Sequence, residues 1–540
     1  MAQHCPIDIE KPSPVSLSTS SSRNSLPLTN DDDGHKSHTQ HQPPSLPTHE
    51  NLTIVSFEPN DPANPYNWST TTKTLILVTA TLSCINTSFS STLPSNLVPP
   101  LPESFGVPAA GPDSVLPASL YLAGFVFGPL LFAPLSEAPR VGRWWVLATG
   151  AAAFVLLSVA AATVRSWPGF LAVRFALGVV GSPPVSVFGG VLGDVYEGEV
   201  GRGRVLMIWS AATFIGPLAA PILAGYTSPT MGWRFVFWIG VVVAALSLGA
   251  VLLLPETLAS TILVKKAARL NKENHGKCKR FVAPSDLCRE SLWETCTTSL
   301  MRPWRLLFRE MIVSLTCVYL GFVYAVFYML VQIFPAIFRG VYGFSPGISG
   351  ILFSVMGFGT FIGCFICWWC DDFTLRLSAK HPNKREEYLR LPLACAAGPM
   401  FVVSMLWLGW SARPDVHWLV PLMATIPYGL AYHLIFVVMI NYVADAYGVY
   451  SASALAALSM TRSVAGTLIP LAVEDMLAAL GIAWSCTVLA AISAALALVP
   501  FGFIAYGEKI RAASRFSATL KPEAEQERGA LARMTSLSVV

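Results

Sequence analysis

The sequence predicts an all-α polytopic membrane protein with twelve transmembrane helices, and three observations lead to that prediction. Hydrophobic residues occupy 53% of the 540 positions and charged residues only 13%, whereas a soluble domain carries about 25% charged residues. Apolar stretches of about 20 residues, enough to cross about 30 Å of hydrocarbon, recur twelve times. Six lie on each side of a polar stretch at 258–308, which indicates two six-helix bundles that repeat one structure.

The same pattern divides the chain into five parts. Residues 1–70 are polar and rich in Ser, Pro and His, so we expect a disordered tail. A first bundle occupies 71–257, the polar stretch 258–308 follows, a second bundle occupies 309–506, and 507–540 form another polar tail. The predicted spans are 73–93, 114–135, 144–164, 168–192, 204–226, 233–254, 310–333, 347–369, 392–411, 417–440, 452–473 and 482–506.

Lys and Arg are distributed unevenly between the loops. Of the 36 basic residues, 30 fall on the side that would hold both termini and 258–308, and three (Arg165, Arg339 and Arg413) fall on the opposite side. Because basic loops stay in the cytoplasm, we expect both termini to be cytoplasmic. The membrane expected is the plasma membrane, with the vacuolar membrane as an alternative.

Short motifs near the ends of the spans resemble those of a known family. DPANPYNWS at Asp61–Ser69 precedes the first span, and Ala133–Glu137 with Gly142-Arg143 stands between spans two and three. Further matches are Arg174 with Gly178 and Gly181, Gly216-Pro217, Trp233–Trp238, Pro255–Thr257, Arg302–Trp304, Asn441-Tyr442, Asp445–Tyr447 and Arg462-Ser463. Over about 60–515, the chain is similar to fungal twelve-span drug:proton antiporters of the major facilitator superfamily.

The resemblance implies a proton-coupled secondary transporter that exports small amphipathic organic compounds, such as drugs, toxins or secondary metabolites, by alternating access. It implies a small-molecule substrate, protons and lipid as partners, no nucleic acid, and a monomer. The proton gradient would replace any cofactor, and no P-loop for ATP is visible. A proton-coupled importer or uniporter of a polyamine or nutrient stays an alternative, as does a non-transporting membrane sensor.

An enzyme is not expected, because the spans show no clustered catalytic constellation. Cys364, Cys367 and Cys370 are spaced as in a metal site but lie in an apolar span without a partnering His or Cys cluster. We therefore expect no metal there.

Seven residues are predicted to gate or couple transport, on the resemblance and on their physics. They are Glu137, Arg143, Arg174, Gly178, Gly216, Pro217 and Arg462. Glu137 is interpreted as part of a conformation-dependent charge clamp or as a helix cap, with simple anchoring by Arg140 and Arg143 as the alternative. The two intramembrane arginines should face the bundle interior, unless Arg174 snorkels to the nearer surface.

Span five contains two consecutive helix breakers, Gly216 and Pro217. Proline removes a backbone donor and clashes with the preceding turn, so we expect a hinge in mid-membrane. Close packing of helices through small residues is a compatible alternative.

Eight residues are predicted to line a substrate cavity. They are Asn86, Tyr324, Phe327, Tyr328, Tyr428, Tyr432, His433 and Phe436. The aromatic residues recur at helical spacing in spans seven and ten, which suits an amphipathic or cationic ligand, although plain helix packing produces the same spacing. His433 is the one deep side chain that titrates near neutral pH. It is the candidate proton carrier, with a hydrogen-bonded interior histidine as the alternative.

Overall fold

The computed structural model describes residues 52–58, 60–107, 111–196, 199–273, 280–287, 292–380, 387–447 and 451–513. The first half contains strand β1 (Leu52–Ile54) and helices α1 (Thr70–Thr92), α2 (Leu116–Glu137), α3 (Arg143–Thr163), α4 (Trp167–Val180), α5 (Pro183–Val195), α6 (Glu199–Thr213), α7 (Ile215–Met231) and α8 (Trp233–Leu252). The connecting stretch contains α9 (Ala259–Glu273), strand β2 (Arg280–Val282), α10 (Pro284–Leu287) and α11 (Leu292–Arg309). The second half contains α12 (Met311–Pro335), α13 (Pro346–Lys380), α14 (Glu387–Ser411), α15 (Leu419–Tyr447), α16 (Ser451–Leu468), α17 (Val473–Leu496) and α18 (Leu498–Ala513).

Eleven helical segments of the described chain are long and apolar enough to cross a membrane. The last, Ser453–Gly507, has 55 residues, which at about 1.5 Å per residue is more than twice the thickness of the hydrocarbon. It is broken by a 3₁₀ turn at Ile469–Ala472 and again at Gly481, whose φ of 72° is left-handed. This segment therefore holds spans eleven and twelve. The predicted all-α polytopic fold, six spans on each side of a polar stretch, is confirmed.

Three spans consist of two helices each, and a proline accounts for every break. Helices α4, α6 and α17 each end four residues before a proline, namely Pro184, Pro217 and Pro500. The proline ring clashes with the carbonyl four residues earlier and offers no N–H to it, so each helix stops at that carbonyl. Spans four, five and twelve can therefore change direction inside the membrane.

Twelve crossings place the start of α1 and the end of α18 on one side of the membrane, which we call the tail side; the other is the far side. The two bundles meet along two helix pairs, α7 with α13 and α2 with α16. The backbones of α7 and α13 approach closely, since a Cβ added at Gly350 would lie 2.6 Å from Ile222 Cα. The most deeply buried spans are α12 and α15, which positions them to form the centre of the molecule.

The segment before the first span is not disordered throughout, as had been expected for 1–70. Strand β1 pairs in parallel with β2 of the connecting stretch, and Lys266 Nζ lies 2.7 Å from Asp61 Oδ2, which lowers the pKa of Asp61. The prediction is therefore wrong for residues 52–58 and 60–69, because the tail finds a partner strand that its own composition does not reveal. Residues 1–51 and 514–540 lie outside the described chain.

The connecting stretch and the second polar tail also differ from the prediction. Within the described residues, 258–308 contains three helices, of which α11 runs directly up to the start of α12. Helix α18 continues to Ala513, beyond the boundary expected at 506. Both extensions place ordered helix at the tail-side membrane surface.

Candidate functional site

The two predicted aromatic faces meet in the middle of the second bundle. Six side chains take part, and we call them the aromatic cluster: Tyr324, Phe327 and Tyr328 of α12, and Tyr428, Tyr432 and Phe436 of α15. The ring centroid of Phe327 lies 5.3 Å from that of Tyr432, and Tyr432 lies 4.8 Å from Phe436. These are ring-contact distances. All members except Tyr324 are buried, so in this structure the two faces are closed against each other.

Phe214 joins this cluster from the first bundle. It stands at the break of span five, between α6 and α7, and its ring centroid lies 5.3 Å from Tyr432 and 5.8 Å from His433. Sequence reasoning did not single it out, although it stands three positions before the helix-breaking Pro217. The break in span five thus places the Phe214 ring against the aromatic cluster.

His433 lies beside the cluster, as expected, and is completely buried. Neither of its ring nitrogens has a hydrogen-bond partner among the residues that the structure describes. The alternative of an interior histidine held by hydrogen bonds is therefore not what this conformation shows. The role of His433 as a proton carrier stays a prediction.

Asn86 does not belong with the other predicted cavity residues. It faces a small pocket inside the first bundle, together with Ser83, Thr87 and Ser247, and its Oδ1 is buried without a hydrogen-bond partner in the described chain. The pocket volume of about 20 Å³ is room for about one water molecule. In this conformation Asn86 lies apart from the aromatic side chains, because the polar side of α1 turns into its own bundle, and its place in a substrate cavity stays a prediction.

Arg462 of α16 lies against the aromatic cluster. Its guanidinium carbon is 4.9 Å from the ring centroid of Tyr324 and 5.8 Å from that of Phe436, within the range of a cation–π contact. The side chain is only half-buried, but its Nε is enclosed and has no hydrogen-bond partner among the described residues. The structure thus adds a positive charge to one wall of the cluster.

Arg174 of α4 lies in the interior of the first bundle and does not snorkel. It is fully buried and donates three hydrogen bonds to backbone carbonyls: Nε to Pro117 at 2.9 Å, Nη1 to Ser90 at 2.9 Å and Nη2 to Ser91 at 3.1 Å. The Tyr121 ring lies 4.6 Å from the guanidinium carbon. A charge in hydrocarbon must be solvated internally, and carbonyl dipoles do so for Arg174.

A chain of contacts connects these two arginines across the bundle interface. Arg174 holds the Ser91 carbonyl, and the Ser91 hydroxyl lies 3.0 Å from the hydroxyl of Tyr328. The Tyr324 hydroxyl donates a hydrogen bond to the Tyr328 hydroxyl over 3.4 Å, and the Tyr324 ring makes the cation–π contact with Arg462. Residues predicted separately, two for coupling and two for the cavity, therefore form one connected set, with Ser91 as the link that sequence reasoning missed.

Two predicted glycines are required by close contact between helices. A Cβ at Gly178 would lie 1.9 Å from the Tyr121 carbonyl oxygen, and one at Gly216 would lie 2.5 Å from the Ile85 carbonyl oxygen. Backbones this close exclude any larger residue. The packing alternative for Gly216 therefore holds beside the hinge, since the adjacent break at Phe214 is also present.

The tail-side charge site is built from other acids than the one predicted. Arg143, which is buried, pairs with Asp194 at 2.8 Å, and the Glu256 carboxylate accepts hydrogen bonds from the backbone N–H groups of Arg143 and Trp144 at 3.1 and 3.2 Å. Glu256 thereby caps the N-terminus of α3. Glu137 is exposed and forms no ion pair with any described residue. The clamp predicted for Glu137 is absent from this conformation, and Glu256 provides the cap instead.

Asn96 bridges the bundles on the far side and was not predicted. Its Nδ2 donates at 2.9 Å both to the Pro221 carbonyl of α7 and to the Pro346 carbonyl of α13, and its Oδ1 lies 3.5 Å from Arg339 Nη1. Nearby, Ser114 hydrogen-bonds to Glu474 across the same interface. These contacts join the two bundles and hold the far side closed.

Comparisons with known proteins agree with this architecture. The profile of the Major Facilitator Superfamily matches residues 79–470. The MFS-type transporter penM of Penicillium rubens is 33% identical over 468 residues, covering 85% of this chain and 90% of that protein. The multidrug transporter mdrA of Aspergillus fumigatus is 31% identical over 472 residues, covering 87% and 77%.

Two further likenesses complete the comparison. The efflux pump FUB11 of Gibberella moniliformis is 31% identical over 468 residues, covering 86% of this chain and 77% of that pump. Among solved structures, the proton:xylose symporter XylE, bound to 6-bromo-6-deoxy-D-glucose, aligns with a TM-score of 0.58 at 16% identity, covering 81% of this chain and 97% of the other. At that identity the likeness shows the fold alone.

Proposed function

Because this chain belongs to the major facilitator superfamily, whose members are membrane transporters, we propose that it exports small amphipathic organic compounds from fungal cells in exchange for protons. Its relatives are named as efflux pumps and multidrug transporters, which favours export over import. The chain is a multi-pass membrane protein, and the proposal adds a direction, an energy source and a class of substrate to that.

One observation carries the class of substrate. The aromatic cluster of the second bundle is closed by Phe214 from the first bundle and bordered by Arg462, so it reaches the interface between the two bundles. Opening of the bundles would separate Phe214 from Tyr432 and expose ring faces and few polar groups. Such a surface suits flat or amphipathic molecules, and hydrogen bonding is left to the tyrosine hydroxyls.

The energy source is proposed to be the proton gradient. His433 is buried at the same place with both nitrogens unpartnered in the described chain, and it loses contact with Phe214 when the bundles separate. A group whose surroundings change between conformations can bind a proton in one and release it in the other. Arg174 and Arg462 supply fixed positive charge on either side of the interface.

The orientation follows from the basic residues of the tail-side loops, which favour the cytoplasm by the positive-inside rule. Both termini are then cytoplasmic and the closed far side faces outward. We place the protein in the plasma membrane as a monomer, since alternating access needs only the two bundles of one chain.

The test is an efflux assay in a yeast strain that lacks its own drug pumps. Cells that express the chain are loaded with fluorescent dyes, azoles and polyamines, and retention is followed with and without a protonophore. We expect loss of at least one aromatic compound that stops when the protonophore is added. Surface expression without any export, or uptake in its place, would overturn the proposal in favour of an importer.

The His433→Gln variant tests the proton step separately. We expect export that no longer depends on external pH, or no export, at normal surface expression. Proton-driven transport at the wild-type rate would remove His433 from the mechanism, and the exporter assignment would stand without it.

A further inference from the structure

A long groove runs along the lipid-facing surface of the second bundle on the tail side. It has a volume of about 770 Å³ and lies between the start of α12 and the helices α17 and α18. The floor is apolar: Leu315, Leu498, Val499 and Phe503 line it. The groove extends along the helix axis from Lys509 to Ala495, about 20 Å at about 1.5 Å per residue. That length matches one leaflet of a bilayer, about 15 Å of hydrocarbon.

Two basic side chains stand at the tail-side mouth of this groove, Arg309 at the end of α11 and Lys509 in α18. Both are exposed, and neither forms an ion pair with any side chain that the structure describes. The neighbouring carboxylate, Glu310, is turned inward and accepts a hydrogen bond from the Tyr447 hydroxyl at 3.0 Å, so it is only 4% exposed. The mouth therefore presents positive charge to solvent.

Helix α11 places this mouth at the level of the lipid headgroups. Its exposed side carries Trp304 and Phe308, whose rings stack at 6.1 Å, with Arg305 among them. Aromatic rings beside basic side chains are typical of helices that lie in a membrane interface. Arg309 ends that helix and Met311, 57% exposed, begins the apolar wall. The transition from headgroup to hydrocarbon thus falls at the mouth of the groove.

Gly502 shapes the groove floor. A Cβ added at this residue would meet no atom within 4 Å. The surface of α18 is therefore indented at Gly502, where no side chain projects into the groove. An occupant with a flexible apolar chain fits an indentation of this kind, whereas a folded protein partner would need a wider surface.

We propose that this groove is a binding site for an anionic phospholipid, with an acyl chain along α18 and the headgroup phosphate between Arg309 and Lys509. The charge at the mouth selects for an anionic headgroup, and the apolar length selects for a chain that spans one leaflet. Anionic lipids are concentrated in the cytoplasmic leaflet, which faces this site in the orientation proposed above. The site lies outside the aromatic cluster and is independent of what is transported.

Binding can be measured without any transport assay. The full chain, purified in detergent, is titrated with phosphatidylserine and, separately, with phosphatidylcholine of the same acyl chains, while thermal unfolding and native mass spectrometry report on bound lipid. We expect phosphatidylserine to bind and to raise the unfolding midpoint at concentrations at which phosphatidylcholine does not. Inorganic phosphate and glycerophosphoserine, which lack the chains, should have no effect.

Two variants divide the site into its charged and apolar parts. R309Q with K509Q should weaken phosphatidylserine binding about thirtyfold, since each basic residue near an anionic surface contributes about fivefold. G502L, whose Cβ would meet no atom within 4 Å and whose side chain would occupy the indentation, should also abolish the phosphatidylserine effect. The matched controls are K265Q with K272Q, which remove equal charge from α9, and G249L, another helical glycine with open space around it; both should bind as the wild type.

Each outcome decides the proposal. Equal binding of phosphatidylserine and phosphatidylcholine, or binding of inorganic phosphate, would contradict the proposal that the site selects an anionic phospholipid. Loss of binding in R309Q with K509Q but not in G502L would show that surface electrostatics alone hold the lipid. It would contradict the proposal that an acyl chain lies in the groove. Failure of drug export in yeast leaves the binding result untouched, so the two proposals fail independently.

Discussion

The two halves of this membrane domain each hold an arginine within a span, and they stabilise it in different ways. In the first bundle Arg174 is fully enclosed and saturated by three carbonyls, whereas in the second bundle Arg462 is half-buried, rests on aromatic rings and leaves its Nε unpartnered among the described residues. A carbonyl cradle is specific and rigid, while a ring face attracts a cation without fixing it. The comparison indicates a structural arginine in one half and a responsive one in the other.

The largest effect is expected from Arg174→Met, which tests the structural side of the comparison. The change leaves three buried carbonyls without a donor, at a cost on the order of 3 kcal/mol or more in stability, and the unfolding midpoint of the purified protein should fall sharply. Arg234→Met is the control: Arg234 is exposed, donates one hydrogen bond at 3.5 Å and lies 4.4 Å from the ring centroid of Trp233, and the variant should unfold nearly as the wild type. An unchanged midpoint for Arg174→Met would remove the contrast between the two halves.

Gly178→Ala should have the next largest effect, because Gly178 lies one turn after Arg174 and sets how close α4 comes to α2. The new Cβ would meet the Tyr121 carbonyl, and overpacking of this kind costs about 1–3 kcal/mol. Gly189→Ala in the same span has open space around it and should be neutral or slightly stabilising. If both alanine variants unfolded at the same temperature, the cradle would not depend on helix proximity.

Tyr328→Phe tests the contact chain that joins the two arginines. It removes the hydroxyl that bridges Ser91 and Tyr324, with an expected loss of about 1 kcal/mol. A double-mutant cycle with Ser91→Ala should give a coupling energy of about the same size, since both changes remove the hydrogen bond between Ser91 and Tyr328. Additive effects would show that the halves are not linked through this pair.

Arg462→Gln should have the smallest effect on stability, less than about 1 kcal/mol, because few contacts fix the side chain. Its effect on selectivity should be larger. Removal of a positive charge from the wall of the aromatic cluster should favour a permanently cationic dye over a neutral one by about tenfold in efflux assays. A loss of folded protein as severe as in Arg174→Met would instead make Arg462 a second structural arginine.

Much of the fold could be predicted because membranes impose simple rules. Apolar length predicted the spans, proline positions predicted the break in span five, and charge favoured the interior for Arg174 over snorkelling to the nearer surface. Contacts between distant segments could not be predicted in this way. Asn86 points into its own bundle, Glu256 rather than Glu137 caps α3, and Phe214 gains its importance only from Tyr432 on another span. Each of these depends on how distant segments pack against one another, which composition does not encode.

The pairing of β1 with β2 has a consequence for the order in which the protein is made. Leu52 must wait for Arg280, its partner in the strand register, and six membrane crossings are synthesised between the two. Strand β1 therefore remains unpaired at the ribosome until the first bundle has been inserted, and it pairs only when the connecting stretch emerges. Its docking would then mark the moment at which half of the transporter is complete.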